Sequence, residues 1–266
     1  MLDPDRPIYP NAPLKLVTFQ IRFPPVPDLD DLKPPRELLA AMRERYPILG
    51  SPPPVMQLEV GPGQTQQRSR GSRLMNRERT QNITLTGDWI ALETSRYERY
   101  EHFADDIDWV LERVHAVTPL PAVTRLGLRY IDEILVEDVS DLSDWKAWIN
   151  PDLIVGGVVD GYETKDYLAQ MLLEVDELHR LTIRYGRVSL PVVDPNGPLK
   201  IASSPTGPYF LLDIDSFWEP TSESFEEFNA DEVRAECLRL HEPIRDIFER
   251  AITTQLRSRF RGGASA

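Results

Sequence analysis

The residues best suited to chemistry in this 266-residue chain are arginines set on short alternating segments. Phe19-Gln20-Ile21-Arg22-Phe23, Leu126-Gly127-Leu128-Arg129-Tyr130 and Leu181-Thr182-Ile183-Arg184-Tyr185 share the form apolar-x-apolar-Arg-aromatic. Successive side chains of a strand point to opposite faces, so Arg22, Arg129 and Arg184 oppose the apolar stripe. Arg125 and Arg180 fall on the same side by the same count. Asp213 and Asp215 share one face of Leu211–Phe217, as Glu174 and Asp176 do on Leu172–Asp176. Guanidinium forks grip phosphate oxygens in pairs, and neighbouring carboxylates can hold a divalent cation. Polar faces curled into a groove would therefore suit a phosphorylated ligand, a nucleotide or polyphosphate, bound or hydrolysed with a metal on Asp213 and Asp215. On a sheet open to water the same residues are cross-strand ion pairs, worth roughly 0.2–1 kcal/mol each.

A second concentration of charge comprises Arg68, Arg70, Arg73, Arg77 and Arg79, with Glu78 as the only acid, a local +4. It reads either as a patch for phosphate or nucleic acid or as a solvated hairpin facing acidic neighbours. Residues 213–250 hold twelve acidic and four basic side chains and would supply such neighbours. The whole chain carries −13, which argues against general nucleic-acid binding because an acidic surface repels a phosphate backbone.

Catalytic signatures are missing from the sequence. Gly61-Pro62-Gly63-Gln64-Thr65 has the glycines of a phosphate loop and lacks its lysine. There is no G-x-S-x-G elbow, no H-E-x-x-H and no strand-linked G-x-G-x-x-G. His102, His115, His179 and His241 lack metal-ligand spacing, and Cys237 falls on an apolar helix face as packing. No cofactor or metal is expected, and the reading leans away from an enzyme.

The elements that must position these side chains follow from periodicity. Leu16–Phe23 alternates as a half-buried strand, and Pro34-Pro35 opens a helix to about Tyr46. Short strands are expected at Val55–Val60, Arg68–Asn76, Thr80–Thr86 and Trp89–Ser95, then a helix from Glu98 to Val117 and a long strand at Val123–Val136. A short helix near Asp141–Ile149, strands at Tyr167–Val175, His179–Leu190 and Tyr209–Phe217, and a helix from Asn229 to about Phe260 complete the pattern. Pro243 should kink that last helix. The fold class is α+β: largely antiparallel, curved sheet in two sheet-plus-helix halves, 1–137 and 138–266, related halves or one continuous domain. Residues 1–14 read as an extended arm and 261–266 as a disordered tail.

Asn11-Ala12-Pro13-Leu14 leading into Phe19–Phe23 resembles the opening of a sporadically distributed bacterial family of uncharacterised proteins of about this length. Ile90-Ala91-Leu92-Glu93-Thr94 running to Tyr100-Glu101-His102-Phe103, Arg125–Ile131 and Phe248-Glu249-Arg250-Ala251-Ile252-Thr253 resemble it in the same order. Gln20 stands where that family often has an acidic residue, and Asp132 where it often has asparagine. The resemblance implies no established activity; sporadic distribution implies an accessory role, as in defence or a toxin–antitoxin pair.

The opening residues have no basic or apolar leader character, no apolar run approaches the roughly 20 residues of a membrane span, and one cysteine cannot form an internal disulfide. The expectation is a cytoplasmic, non-enzymatic binding protein that acts through a protein partner or as a homo-oligomer, away from membranes.

Overall fold

The computed structural model describes residues 9–29, 34–50, 71–137, 139–155, 162–202, 207–220 and 226–262. The expected strand at Val55–Val60, the residues Arg68 and Arg70, positions 1–8 of the arm and 263–266 of the tail lie outside them.

The alternating segments become strands of one sheet. In chain order these are β1 (Leu14–Arg22), β2 (Ile48–Gly50), β3 (Ser72–Met75), β4 (Gln81–Leu85), β5 (Trp89–Thr94), β7 (Arg125–Ile134), β8 (Ala169–Glu174), β9 (His179–Val188) and β10 (Tyr209–Trp218). They form an open, curved, antiparallel nine-stranded sheet in the order β2-β3-β4-β5-β1-β7-β10-β9-β8. A separate pair joins β6 (Ala122–Val123) to β11 (Glu226–Glu227). The first and second halves of the chain meet inside the large sheet, where β7 pairs with β10 from Ile134↔Phe210 to Leu126↔Trp218.

One face of the sheet is the core. Val17, Phe19 and Ile21 of β1 lie there with Leu126, Leu128 and Tyr130 of β7 and Leu212 and Ile214 of β10, all buried. Full burial of each such aliphatic side chain is worth about 1.5–3 kcal/mol. The covering helices are α1 (Arg36–Met42), α2 (Tyr100–Val117), α3 (Ala230–Ala251) and α4 (Thr254–Phe260). α2 buries Phe103, Ile107, Val110, Leu111 and Val114, the spacing of one helical stripe. α3 starts at Asn229, whose side chain accepts from the amides of Asp231 and Glu232, and it buries Val233, Cys237, Leu240 and Ile244.

The expected long C-terminal helix is two helices. α3 runs through Pro243 unbroken, and the interruption comes nine residues later, at Ile252. There the backbone turns extended and bridges Ile149. The Asn150 amide donates to Ala251 O (2.8 Å) and the Thr253 amide to Trp148 O (3.0 Å), replacing helical bonds with tertiary ones. Thr253 then caps α4 through Leu256 N. The stretch expected as a short helix near 141–149 contains a 3-10 turn at Ser143–Ala147, which seats Trp145 in the core beside Phe210. Among the described residues no helix is long and apolar enough to cross a membrane.

Candidate functional site: the polar face of the sheet

α3 packs on β7, β9 and β10, and alternation along the strands puts the polar side chains on the face opposite the core. Pairing register sets Gln20 opposite Gly127, Arg22 opposite Arg125, Thr18 opposite Arg129, and Arg129 opposite Asp215. On the next strand Asp213 lies opposite Arg184, and Phe217 opposite Arg180. Arg22, Arg125, Arg129, Arg184, Asp213 and Asp215 therefore share one surface.

At its centre Arg129 reaches diagonally to Asp213, donating from Nε to Oδ1 and from Nη2 to Oδ2, both at 2.7 Å. Arg184 adds Nη1 to Oδ2 at 3.3 Å. The Asp213 side chain is 2% exposed, whereas Arg129 and Arg184 remain 39% and 33% exposed, so a sunken carboxylate anchors two partly exposed guanidinium groups, and Arg184 Nε also donates to Gln170 Oε1 at 3.0 Å. The hydrogen bond to Asp213 raises the Arg129 pKa above its ordinary value, against the opposing effect of burial. Arg180 is set apart, 3.9 Å from both Glu174 and Glu219.

Toward the other end of β1 and β7 the charge balance changes. Arg22 and Arg125 are direct cross-strand neighbours and share one neutral acceptor, Gln20 Oε1, at 3.2 and 3.1 Å. Arg125 comes no nearer than 3.8 Å to Asp215, and Arg22 makes no ion pair with a described residue. The Arg125 guanidinium lies over the Phe217 ring at 4.8 Å and folds back across Gly127, where a Cβ would sit 2.8 Å from Nη1. Glycine in the Leu126–Tyr130 segment thus makes room for this guanidinium. Burial, reinforced by the charge of Arg22, lowers the Arg125 pKa, and Asp215 opposes the shift. Burial likewise raises the pKa of Asp215, partly offset by Arg125 and Arg129.

The face continues onto β5, β4 and β3. Glu93 pairs with Thr18 on one side and Asn82 on the other, and Arg73 lies opposite Thr84. Glu93 is half-buried, while Arg73, Asn82 and Thr84 are buried. Among the described residues, neither polar side-chain atom of Asn82, Oδ1 or Nδ2, has a hydrogen-bond partner. Of the basic segment, Arg73 belongs to this face, Arg77 is exposed in the turn between β3 and β4, and Arg79 is tied to the 190s loop. Arg79 Nε donates to Pro198 O at 3.0 Å, and its own carbonyl accepts from Lys200 N at 2.6 Å. The same loop closes one end of the polar face, where the Val192 and Val193 amides donate to Glu133 Oε1 at 2.7 and 3.1 Å.

Sequence reasoning missed Asn82 and a second feature on the opposite side of the sheet's end. A groove of about 570 Å³ lies between β9 and α3, with Leu126, Trp218 and Val233 among its apolar walls and Asp176, Glu232 and Glu236 among its acids. His179 bridges it, with Nδ1 2.6 Å from Asp176 and Nε2 2.5 Å from Glu236. Each ring nitrogen thus meets one carboxylate, one from the turn before β9 and one from α3. The hydrogen bond from His179 leads the effects that pull Asp176 down to about 2. The Asp176–His179 spacing across a turn was a local signal for half of this clasp; Glu236, on α3, was not. Among the described residues no cluster of His, Cys, Asp and Glu suits a metal ion, and the face around Asp213 and Asp215 is held by arginines instead.

Comparison with protein-family models and with curated proteins found no match to this chain.

Proposed function

We propose that this is a binding protein whose polar sheet face holds an oxyanion, the phosphate of a small ligand, between Arg22 and Arg125. The observation that carries the reading is their direct cross-strand pairing around a single neutral acceptor. Like charges directly opposite on neighbouring strands are unfavourable, and an anion between them converts repulsion into two charge-assisted contacts. Arg129 and Arg184, anchored from below by Asp213, extend the donor surface. Asp213 and Asp215 of this face are engaged by guanidinium groups, which favours a binding role for them over one as nucleophile or general base. The single cysteine suits a reducing, cytoplasmic setting.

Titration calorimetry with inorganic tripolyphosphate tests the proposal. Binding should weaken roughly tenfold to a hundredfold in Arg22→Ala, the range of about 1.5–3 kcal/mol for a lost hydrogen bond to a charged group. Arg22 is exposed, so its removal leaves the fold intact. No measurable binding by the wild type, or equal binding by the variant, overturns the reading.

A second reading, action through a protein partner, rests on a different observation. β8 is an edge strand, and Leu172 and Leu173 are exposed on its opposite faces between exposed Leu168 and Val175. An apolar, unpaired edge is a template for another strand.

A further inference from the structure

The row of the polar face that contains Arg129 runs through Thr18 and Glu93 to Asn82. Three strand spacings separate its ends, about 14 Å from Arg129 to Asn82. Along it exposure falls: Arg129 is 39% exposed, Glu93 is half-buried and Asn82 is 0% exposed, while the exposed Arg22 lies four residues along β1 from Thr18, beside Arg125. Among the described residues neither Oδ1 nor Nδ2 of this asparagine has a hydrogen-bond partner. Buried donors and acceptors are paired in all but a few cases, and an unmet pair on one side chain points to a group that supplies both complements.

A carboxamide offers an acceptor and a donor side by side, which is how asparagine engages the adjacent donor and acceptor on the edge of a base. Next in the row, the Glu93 carboxylate is an acceptor suited to ribose hydroxyls, the task an acidic residue performs in dinucleotide sites. Beyond it come the guanidinium groups.

We infer that the ligand is a nucleoside polyphosphate, with its base enclosed at Asn82, its sugar at Glu93 and its phosphates at Arg129, Arg125 and Arg22. The inference rests on the anion-site reading and adds the base and the sugar to it. The length of the row requires an extended ligand, and the exposure gradient sets its direction, with the least polar part deepest and the charged part at the mouth. A free polyphosphate would leave Asn82 orphaned.

Titration calorimetry of the full chain with ATP, GTP, CTP and UTP, each against inorganic tripolyphosphate, decides the matter. At least one nucleotide should bind tenfold or more tightly than tripolyphosphate. That increment should vanish in Asn82→Leu, which keeps the volume and removes both polar atoms, while tripolyphosphate binding stays unchanged. Nucleotides binding no better than tripolyphosphate would overturn the inference and leave the anion site standing. Absence of binding by all five compounds would overturn the anion site itself. An increment that survives in Asn82→Leu would overturn the assignment of the base to Asn82. Asn82→Asp, which keeps the shape and replaces the donor, serves the same comparison if the leucine variant does not fold, and the wild-type ratio of nucleotide to tripolyphosphate stands without either variant.

Discussion

Asp132 sits on the core face of β7, opposite Leu14 and Leu212, where a carboxylate has no water to solvate it. Burial, with the charge of Asp213 adding, pushes its pKa up to about 8. At neutral pH the folded protein therefore holds a proton that the unfolded chain, with an ordinary carboxyl near 3.9, has released. Below about pH 4 both states are protonated and the site carries no penalty. As pH rises from about 4 toward 8 stability falls, by up to about 1.4 kcal/mol per unit, and above that range the loss is complete. An asparagine in place of this acid would match the protonated form in shape without titrating. Asp132→Asn should therefore melt with the wild type at about pH 4 and be more stable at about pH 7 by up to roughly 4 kcal/mol. Denaturant melts at the two pH values measure this, and a gap of equal size at both would show that Asp132 is not the titrating group. Alternation along a single strand put Arg129 on the wet face, but its bidentate grip on Asp213, 84 residues away, depends on β7 pairing with β10.

Among the elements, β8 and the α3–α4 break differ most from what local pattern implies. Short alternation identifies β8 as a strand, whereas its position as last in the sheet, with Leu172 and Leu173 both exposed, is a property of strand order. Lysine on an edge strand opposes strand addition. If this edge takes a partner chain or a second copy, Leu172→Lys with Leu173→Lys should abolish the complex and leave the melting temperature within a few degrees. Sedimentation velocity over a concentration series, with pull-down from the native host, reads both cases. A wild type that stays monomeric and retains no stoichiometric chain would eliminate this use of the edge. The break at Ile252 has a comparable origin. Proline is the strongest local helix breaker, yet α3 passes Pro243 and stops where residues 148–150 offer backbone partners.

At the scale of the molecule, β7 and β10 join strands from both halves of the chain into one sheet, and α3 from the second half packs on β7 of the first as well as on β10. The buried residues of the two halves belong to one hydrophobic cluster. Unfolding should therefore be cooperative, with far-ultraviolet circular dichroism and tryptophan fluorescence giving one coincident midpoint. The probes are well distributed, at Trp89, Trp109, Trp145, Trp148 and Trp218. Two resolved midpoints would mean that the halves are separate folding units. By itself the amino-acid order determined the α+β class, most strands and helices to within a few residues, and the side of each strand on which an arginine stands. Those properties follow from periods of about 2 and 3.6 residues, which are local. Tertiary structure alone decided that six strands bring Arg22, Arg125, Arg129, Asp213 and Arg184 onto one face with Glu93 and Asn82, and that His179 meets Glu236. Strand order and register set those encounters between residues tens of positions apart, and no local period encodes them.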